Sequence, residues 1–143
     1  MAATMTNRGL QVLSTNDASA LDIRTAVFTG TVPAAATIRD WNFLSDVIAS
    51  ALVEAAATSY ARQDLAGVAA VEDDGTDQVD WTATAPTISA VGVGETWTCV
   101  AHYVYNASDA AAELIYVDEP TSPLVTNGGD VTLPRFNVVI SQP

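Results

Sequence analysis

Two side chains of this sequence, Cys99 and His102, could supply a nucleophile and a general base. A cysteine attacks as its thiolate, and a neighbouring imidazole can take the proton. The two residues lie three positions apart in an alternating apolar stretch that predicts a β-strand. Side chains three apart on a strand point to opposite faces, so we expect this pair not to meet. A single cysteine also excludes a disulfide within the chain, and its simplest role is a small core residue.

The carboxylates are densest between positions 72 and 80, at Glu72, Asp73, Asp74, Asp77 and Asp80. Such a cluster could bind calcium, which prefers several oxygen ligands. The standard calcium loop has acids at alternate positions, then a glycine and a late glutamate, and this segment has a different order. The run "EDDGTDQ" contains a glycine and no apolar residue. It therefore favours a solvated hairpin turn over a calcium site.

Gly92 and Gly94 form a Gly-x-Gly pattern that could suggest a dinucleotide site. Such a site needs a third glycine and a following helix, whereas a strand is predicted here. We therefore expect a hairpin turn at these glycines. One histidine and one cysteine are too few for an ordinary metal site, and no Gly-x-Ser-x-Gly elbow is present. The sequence predicts no catalytic, cofactor-binding or metal-binding residues, and we expect no enzyme.

The charge balance of the chain limits the kinds of partner that it is expected to bind. The chain has 143 residues, with 17 acidic residues against five arginines and no lysine, for a formal net charge of −12. Nucleic-acid binding usually depends on phosphate neutralisation, and anionic membranes attract basic segments. Neither partner is expected. The negative charge fits either a solvated acidic exterior or a partner with a basic surface.

The apolar content, 49% of residues, indicates a folded core rather than an acidic disordered tail. The sequence predicts no membrane span, because it lacks a run of about 18 apolar residues. Its beginning, "MAATMTNRGL", lacks the basic head and apolar run of a signal peptide. We expect a protein that is made and kept in a cytoplasm unless it leaves through assembly or lysis.

Two segments precede the β-rich part. Residues 1–20 predict an N-terminal arm or short helix, and residues 21–143 a β-rich domain that begins with an alternating strand at 21–30. The strongest helix signal covers about residues 37–52, with Thr37 as a candidate N-cap. Apolar side chains follow helical spacing there: Ile38, Trp41, Leu44, Val47, Ile48 and Leu52.

The remaining chain is predicted to be β. Residues 58–71 favour a strand, and residues 95–106 give the clearest one, with Trp97, Cys99, Ala101, Tyr103 and Tyr105 on one face. Pro86 marks an edge strand, a bulge or a boundary between two short strands, and Pro134 marks an edge or a bulge. The simplest interpretation of the tryptophans is that they anchor the core: Trp41, Trp81 and Trp97. The predicted fold is mainly β, a single-domain β-sandwich or flattened barrel, with one amphipathic α-helix covering an end or a face.

The order of these segments resembles small virion structural proteins of tailed bacteriophages. The resemblance rests on "TNRGLQVL", then "DIRTAVFTG", the helix "IRDWNFLSDVI" and "YARQDLAGV". It continues through "DDGTDQVDWTATAPT", "GVGETWTCVAHYVYN" and the late "TNGGDVTL". It covers nearly the whole chain. It is a likeness of order and spacing, and it transfers no functional residue.

The resemblance implies a capsid decoration (cement) protein on the outer shell of a virion, bound to the major capsid protein. It implies a homo-oligomer, with a trimer favoured at local three-fold positions. The segment before Leu21 is then a candidate arm that reaches a neighbour. Two alternatives remain: a tail or neck component, and a host- or glycan-binding β-module on the virion. In the second, Trp81, Trp97 and the tyrosines would form a sugar platform.

Overall fold

The computed structural model describes residues 2–17 and 20–141, and within them the chain forms thirteen strands and three helices. The helices are α1 (Asn7–Thr15), α2 (Ala35–Arg39) and α3 (Leu44–Ile48). The strands, in chain order, are β1 (Ala2–Met5), β2 (Ile23–Thr29), β3 (Val53–Glu54), β4 (Gln63–Asp64), β5 (Ala69–Asp73), β6 (Gln78–Thr82), β7 (Thr87–Ile88), β8 (Thr96–Trp97), β9 (Cys99–Val104), β10 (Leu114–Glu119), β11 (Leu124–Val125), β12 (Val131–Thr132) and β13 (Asn137–Ser141).

A six-stranded antiparallel sheet forms the middle layer of the fold. Its order is β1-β10-β9-β2-β3, and β4 also pairs with β2. Side chains alternate between the two faces along a strand. Ala26 and Phe28 therefore lie on one side of β2, and Thr25 and Val27 on the other. All four have 0% exposure. The middle sheet is therefore covered on both faces.

The short helices α2 and α3 cover one face of the middle sheet. Ile38, Leu44 and Val47 pack there against Ala26 and Phe28. Burying an aliphatic side chain of this size contributes about 1.5–3 kcal/mol relative to leaving it exposed. This helix layer holds the middle sheet from one side.

Three smaller sheets cover the other face. The strands β13-β6-β5 form an antiparallel sheet, called here the outer sheet, while β7 pairs with β12 and β8 with β11. Trp81 and Phe136 pack with Ile23 of the middle sheet, and Trp97 packs with Val100. The prediction of a mainly β, single-domain fold is confirmed, with sheets stacked as in a sandwich.

Helix α1 is fixed to β10 by a close backbone approach. The Thr6 hydroxyl accepts a hydrogen bond from Gly9 N–H at 2.8 Å and donates one to the Leu114 carbonyl at 2.6 Å. A Cβ on Gly9 would lie 2.0 Å from the Ile115 carbonyl oxygen. Only glycine allows this approach.

The N-terminal segment belongs to the body of the fold. The helix alternative predicted for residues 1–20 agrees with α1. The arm alternative does not fit the described part, because β1 pairs with β10 from Ala2↔Glu119 to Met5↔Tyr116. These backbone hydrogen bonds hold the segment on its own chain.

The helix predicted at residues 37–52 is wrong as one element, because the chain forms α2 and α3 instead. The Asp46 carboxylate accepts hydrogen bonds from the N–H groups of Asn42 at 2.7 Å and Phe43 at 3.0 Å. It thereby caps a new helix start. The Leu44 N–H donates a hydrogen bond of 2.9 Å to the carbonyl of Ala112, which lies in a distant segment. Local helical spacing does not reveal such a tertiary hydrogen bond.

The predicted details of this region are partly corrected. Thr37 is not the N-cap, since α2 begins after Ala34, which makes no side-chain capping bond. The apolar stripe is right for most members, such as Ile38 and Leu52, which are buried. Ile48 is the exception, with 42% exposure.

Two strand predictions also change. Only β4 and the first part of β5 lie within residues 58–71, because much of this segment bonds to β2 through single groups rather than a ladder. Trp97 is not on the face of Cys99, because the strand is interrupted at Thr98. Trp97 therefore packs on the opposite side of the sheet. Pro86 lies between short strands, which is one of its predicted alternatives, and Pro134 lies in the connection between β12 and β13 rather than at a strand edge or bulge.

Gly9→Ala tests the contact between α1 and β10. In an exposed helix this change would stabilise by about 1 kcal/mol. Here we expect destabilisation by about 1–3 kcal/mol, because the new methyl group overpacks against backbone. Urea unfolding followed by tryptophan fluorescence measures the effect. Gly75→Ala is the matched control, since its Cβ would meet only a movable Asp73 carboxylate at 3.2 Å. A stabilised Gly9→Ala variant would contradict the contact.

Candidate functional site

The structure places Cys99 and His102 on opposite faces of β9, as the strand spacing predicts. Cys99 is fully buried in the core beneath α2 and α3. Burial raises the pKa of its thiol to about 12. The thiol therefore stays protonated near neutral pH and acts as a packing group.

His102 is an internal part of the opposite core. It has 0% exposure, and its Nδ1 lies 3.0 Å from the Thr25 hydroxyl. The ring stacks on Tyr116 at 4.4 Å and contacts Phe136 edge-on at 5.5 Å. Burial lowers the pKa of His102 to about 3. Because protons then favour the unfolded state, its contribution to stability is complete above the ordinary pKa of about 6.5 and is lost as the pH falls below it.

The acidic segment forms the turn of the β5–β6 hairpin, so the hairpin interpretation is confirmed. Asp73 Oδ1 accepts a hydrogen bond from Gly75 N–H at 2.9 Å, and Asp77 adopts a positive φ of 51°, which Asp tolerates better than most residues. Within residues 2–17 and 20–141, no group of three or more His, Cys, Asp and Glu side chains could hold a metal ion. The carboxylates of the turn are exposed to solvent.

The hairpin predicted at Gly92 and Gly94 is wrong. The flanking strands do not pair with each other, because β7 pairs with β12 and β8 with β11. Between them the loop bonds to the "TNGGD" segment, with Gly94 N–H to the Thr126 carbonyl at 3.3 Å and Gly128 N–H to the Val91 carbonyl at 2.9 Å. The two glycine segments form one irregular antiparallel ribbon. A distant partner therefore decides the pairing.

The strongest charged contacts lie in a group of four residues, called here the Arg62 cluster: Glu54, Tyr60, Arg62 and Asp109. The guanidinium binds the Glu54 carboxylate with two hydrogen bonds of 2.7 Å. It binds the Asp109 carboxylate with hydrogen bonds of 2.6 and 3.1 Å. These bonds raise the pKa of Arg62, and they lower the pKa of Asp109. Bidentate pairs of this kind fix geometry as well as charge.

Tyr60 connects this cluster to the middle sheet. Its hydroxyl accepts a hydrogen bond from Val27 N–H at 2.9 Å and donates to Glu54 Oε1 at 3.1 Å. Ala55 N–H donates to the Val27 carbonyl at 2.9 Å. The edge of β2 has no strand at Val27, since β4 pairs at Thr25 and β3 at Phe28. Burial raises the pKa of Tyr60.

The arginine and tyrosine pairs near "YAR" and "HYVY" are internal contacts. Arg24 lies 3.6 Å from the Tyr105 ring centroid, and Arg62 lies 5.8 Å from that of Tyr103. Tyr103 is buried at 1% exposure, so it offers no surface. The sequence contains these residue types but does not show which arginine meets which ring.

The surface best suited to binding is the solvent side of the outer sheet, called here the outer face: Val71, Asp80 and Val139. Val71 pairs with Asp80, and Asp80 pairs with Val139, so the three lie in one row on one face. Val71 is 60% exposed and Val139 is 51% exposed. A row of large apolar side chains around a carboxylate can bind a protein surface.

The sequence pattern does not single out the outer face. One signal was present, because Val138 and Val139 are consecutive in a strand and must point to opposite faces. Val138 is buried at 7% exposure, and Val139 is the exposed one. Which of the two faces solvent depends on the packing of the outer sheet.

The predicted sugar platform is wrong. Trp97 has 0% exposure and donates its indole N–H to Glu95 Oε2 at 2.8 Å. Trp81 has 2% exposure in the core between the sheets. Both are core anchors, as the simpler interpretation had it, and Trp41 packs half-buried beside α2 and α3.

No family model matches the chain, and the comparisons with curated proteins and with solved structures gave no match. The structure itself must therefore support a functional hypothesis. In the described part of the chain, no helix has both the length and the apolar character that crossing a membrane requires.

Tyr60→Phe tests the link between the Arg62 cluster and β2. Removing the hydroxyl leaves Val27 N–H without its partner, so we expect a loss of about 1–3 kcal/mol in the free energy of unfolding. Chemical denaturation measures it. Tyr105→Phe is the control, because Tyr105 is 44% exposed, and we expect a change within about 0.5 kcal/mol. Equal effects of the two substitutions would contradict the proposed link.

A buried carboxyl, Asp118, weakens the fold near neutral pH. It has 1% exposure, and its Oδ1 has no hydrogen-bond partner among the described residues. Burial raises the pKa of Asp118 to about 6 from its ordinary value of 3.8. The folded state therefore binds the extra proton between these values, and this contribution to stability is lost as the pH rises through about 6.

Asp118→Asn should therefore stabilise the protein at about pH 7, by no more than about 3 kcal/mol. The gain should disappear at about pH 4, where the native carboxyl is already neutral. Thermal unfolding at both pH values measures it. Glu119→Gln changes an exposed neighbour and should have little effect at either pH. A gain of Asp118→Asn that persists at the lower pH would contradict the role of the charge.

Proposed function

We propose that this chain is a structural protein of a tailed-bacteriophage virion, of the capsid decoration (cement) kind. It is made in the host cytoplasm, binds the outer shell of the major capsid protein and stabilises it. It acts as a homo-oligomer, and a trimer fits local three-fold positions of a shell. The resemblance in segment order suggests this family of functions. The outer face is the observation that carries the proposal.

The outer face suits a contact with another protein. Val71 and Val139 stand on a sheet whose inner side is anchored by Trp81, so their positions are held before binding. Covering these two valines removes apolar surface from water, and each Å² buried stabilises the complex by about 25 cal/mol. A preformed surface also loses little conformational entropy when it binds. Many weak contacts of this size add up on a repeating lattice.

The placement of the reactive side chains supports a structural role. Cys99 and His102 are packed in two different cores, and Arg62 is matched by two carboxylates. These groups stabilise the fold itself. A decoration protein binds only the assembled shell and stabilises it by mass action. Such a protein needs a rigid fold, because its binding surface must keep its shape.

The charge distribution supports a partner with basic surface. Arg8, Arg24 and Arg62 form their ion pairs near β2 and the start of β10. Among the described residues, no ion pair reaches the acidic turn of the β5–β6 hairpin, which adjoins the outer face. The net charge of −12 would speed association with such a partner.

The attachment proposed here differs from the arm predicted at the N-terminus. Since β1 and α1 are docked on β10, removing them would damage the fold rather than release a tether. The outer face is the better attachment surface, because its valines are exposed and take no part in the core.

Co-sedimentation with capsid shells tests this proposal. The chain is mixed with shells of the major capsid protein encoded in the same genome, and the pelleted fraction is measured. We expect saturable binding, weakened at least tenfold by Val71→Gln, which removes the apolar side chain without adding charge. Val93→Gln is the matched control, since Val93 is 74% exposed and lies in the loop between β7 and β8, outside the outer sheet. Absence of the chain from the shells, or equal loss in both variants, would contradict the proposal.

Light scattering on a sizing column gives the second test, the mass of the oligomer. A trimer is expected, because closed symmetry must match the lattice position. A ring of six or more copies would instead favour a tail or neck component. In that case antibody labelling of virions should mark the tail rather than the shell.

A further inference from the structure

An open groove lies between α1 and the inner side of the outer sheet. Its volume is about 580 Å³, within the range of about 300–1,000 Å³ typical of ligand sites. Its apolar lining side chains are Leu10, Leu13, Ala70, Val79, Trp81 and Ile140. Leu10 is 46% exposed at the mouth of the groove.

Both walls of the groove are held in place. Helix α1 cannot slide towards the outer sheet without leaving its contact between Gly9 and Ile115. The opposite wall is the ladder of β6 and β13, which pair from Asn137↔Thr82 to Ser141↔Gln78. The groove is therefore a preformed cleft, and closing it would cost the contact that fixes α1.

Ser14, Asn16 and Asp17, at and just after the end of α1, also line the groove, and two of them are hydrogen-bonded to the helix backbone. Ser14 Oγ donates to the Leu10 carbonyl at 2.6 Å, and Asn16 Nδ2 donates to the Val12 carbonyl at 2.8 Å. Their hydrogen-bonding capacity is thus used largely within the helix end. An occupant of the groove meets mainly apolar side chains along its length.

One end of the groove is strongly acidic. Glu72 pairs with Val79 and shares its face of the outer sheet, so it borders the groove. Asp73, Asp74 and Asp77 follow in the adjoining turn. No arginine lines the groove, so its acidic end is complementary to a positive charge.

We propose that this groove binds a protein segment that inserts apolar side chains along α1 and places lysine or arginine beside the acidic turn. An amphipathic helix in a groove is a common mode of peptide recognition. The acidic end sets the direction of the segment, because the reversed segment would bring its charge to the wrong end. This inference does not depend on the proposed function, since it concerns the opposite side of the outer sheet.

A displayed library of random 12-residue peptides, selected on the folded chain, tests the inference. We expect enrichment of peptides with leucine, isoleucine or phenylalanine at helical spacing and with lysine or arginine at one end. A selected peptide should bind at least tenfold more weakly to Leu10→Gln. Ile48→Gln is the matched control, since Ile48 is also on a helix and is 42% exposed. Exchanging the basic residues of the peptide for glutamate should abolish binding.

Three results would overturn the inference. One is a selection that yields no basic-apolar consensus. Another is binding that Leu10→Gln and Ile48→Gln weaken equally. The third is occupation by something else: binding of the small apolar cation benzyltrimethylammonium but of no peptide, or self-association that Leu10→Gln abolishes. Either of these would assign the groove to a small molecule or to a second copy of the chain.

Discussion

The fold depends on hydrogen-bond partners for the edge of β2 that does not pair with β9. This strand is buried on both faces, so each of its backbone groups needs a partner that is not water. One edge is satisfied by β9 along six residue pairs. The other edge is assembled from three pieces, namely β4, the Tyr60 hydroxyl and β3. Leaving the Val27 N–H unpaired would cost about 1–3 kcal/mol.

The other stabilising contacts follow from that constraint. Tyr60 can reach β2 only if its loop is held, and the ion pairs of Arg62 with Glu54 and Asp109 hold it. Asp109 lies in the connection between β9 and β10, so the same guanidinium joins that connection to β3. Three charges share one small volume, and their strict geometry matters more than their number. The most polar part of the molecule is in this way used for its architecture.

Both proposed binding surfaces involve the outer sheet. All five residues of its strand β5 are exposed. One side bears the outer face, and the other borders the groove beside α1. Two partners could therefore bind the two sides of this sheet separately. The acidic turn at the end of this sheet is shared by both, which couples the two surfaces electrostatically.

The sequence by itself determined the class of fold, the alternation of β9, the separation of Cys99 from His102 and the acidic hairpin. These features depend on period-two spacing and on turn residues, which act between near neighbours. Tertiary structure alone decided the break between α2 and α3, the docking of β1, the pairing of the two glycine segments and the valine that faces solvent. Each of these depends on a hydrogen bond or a packing surface supplied from far along the chain, such as Ile115 for Gly9. Local propensity carries no record of that partner, so long-range contacts overrode it.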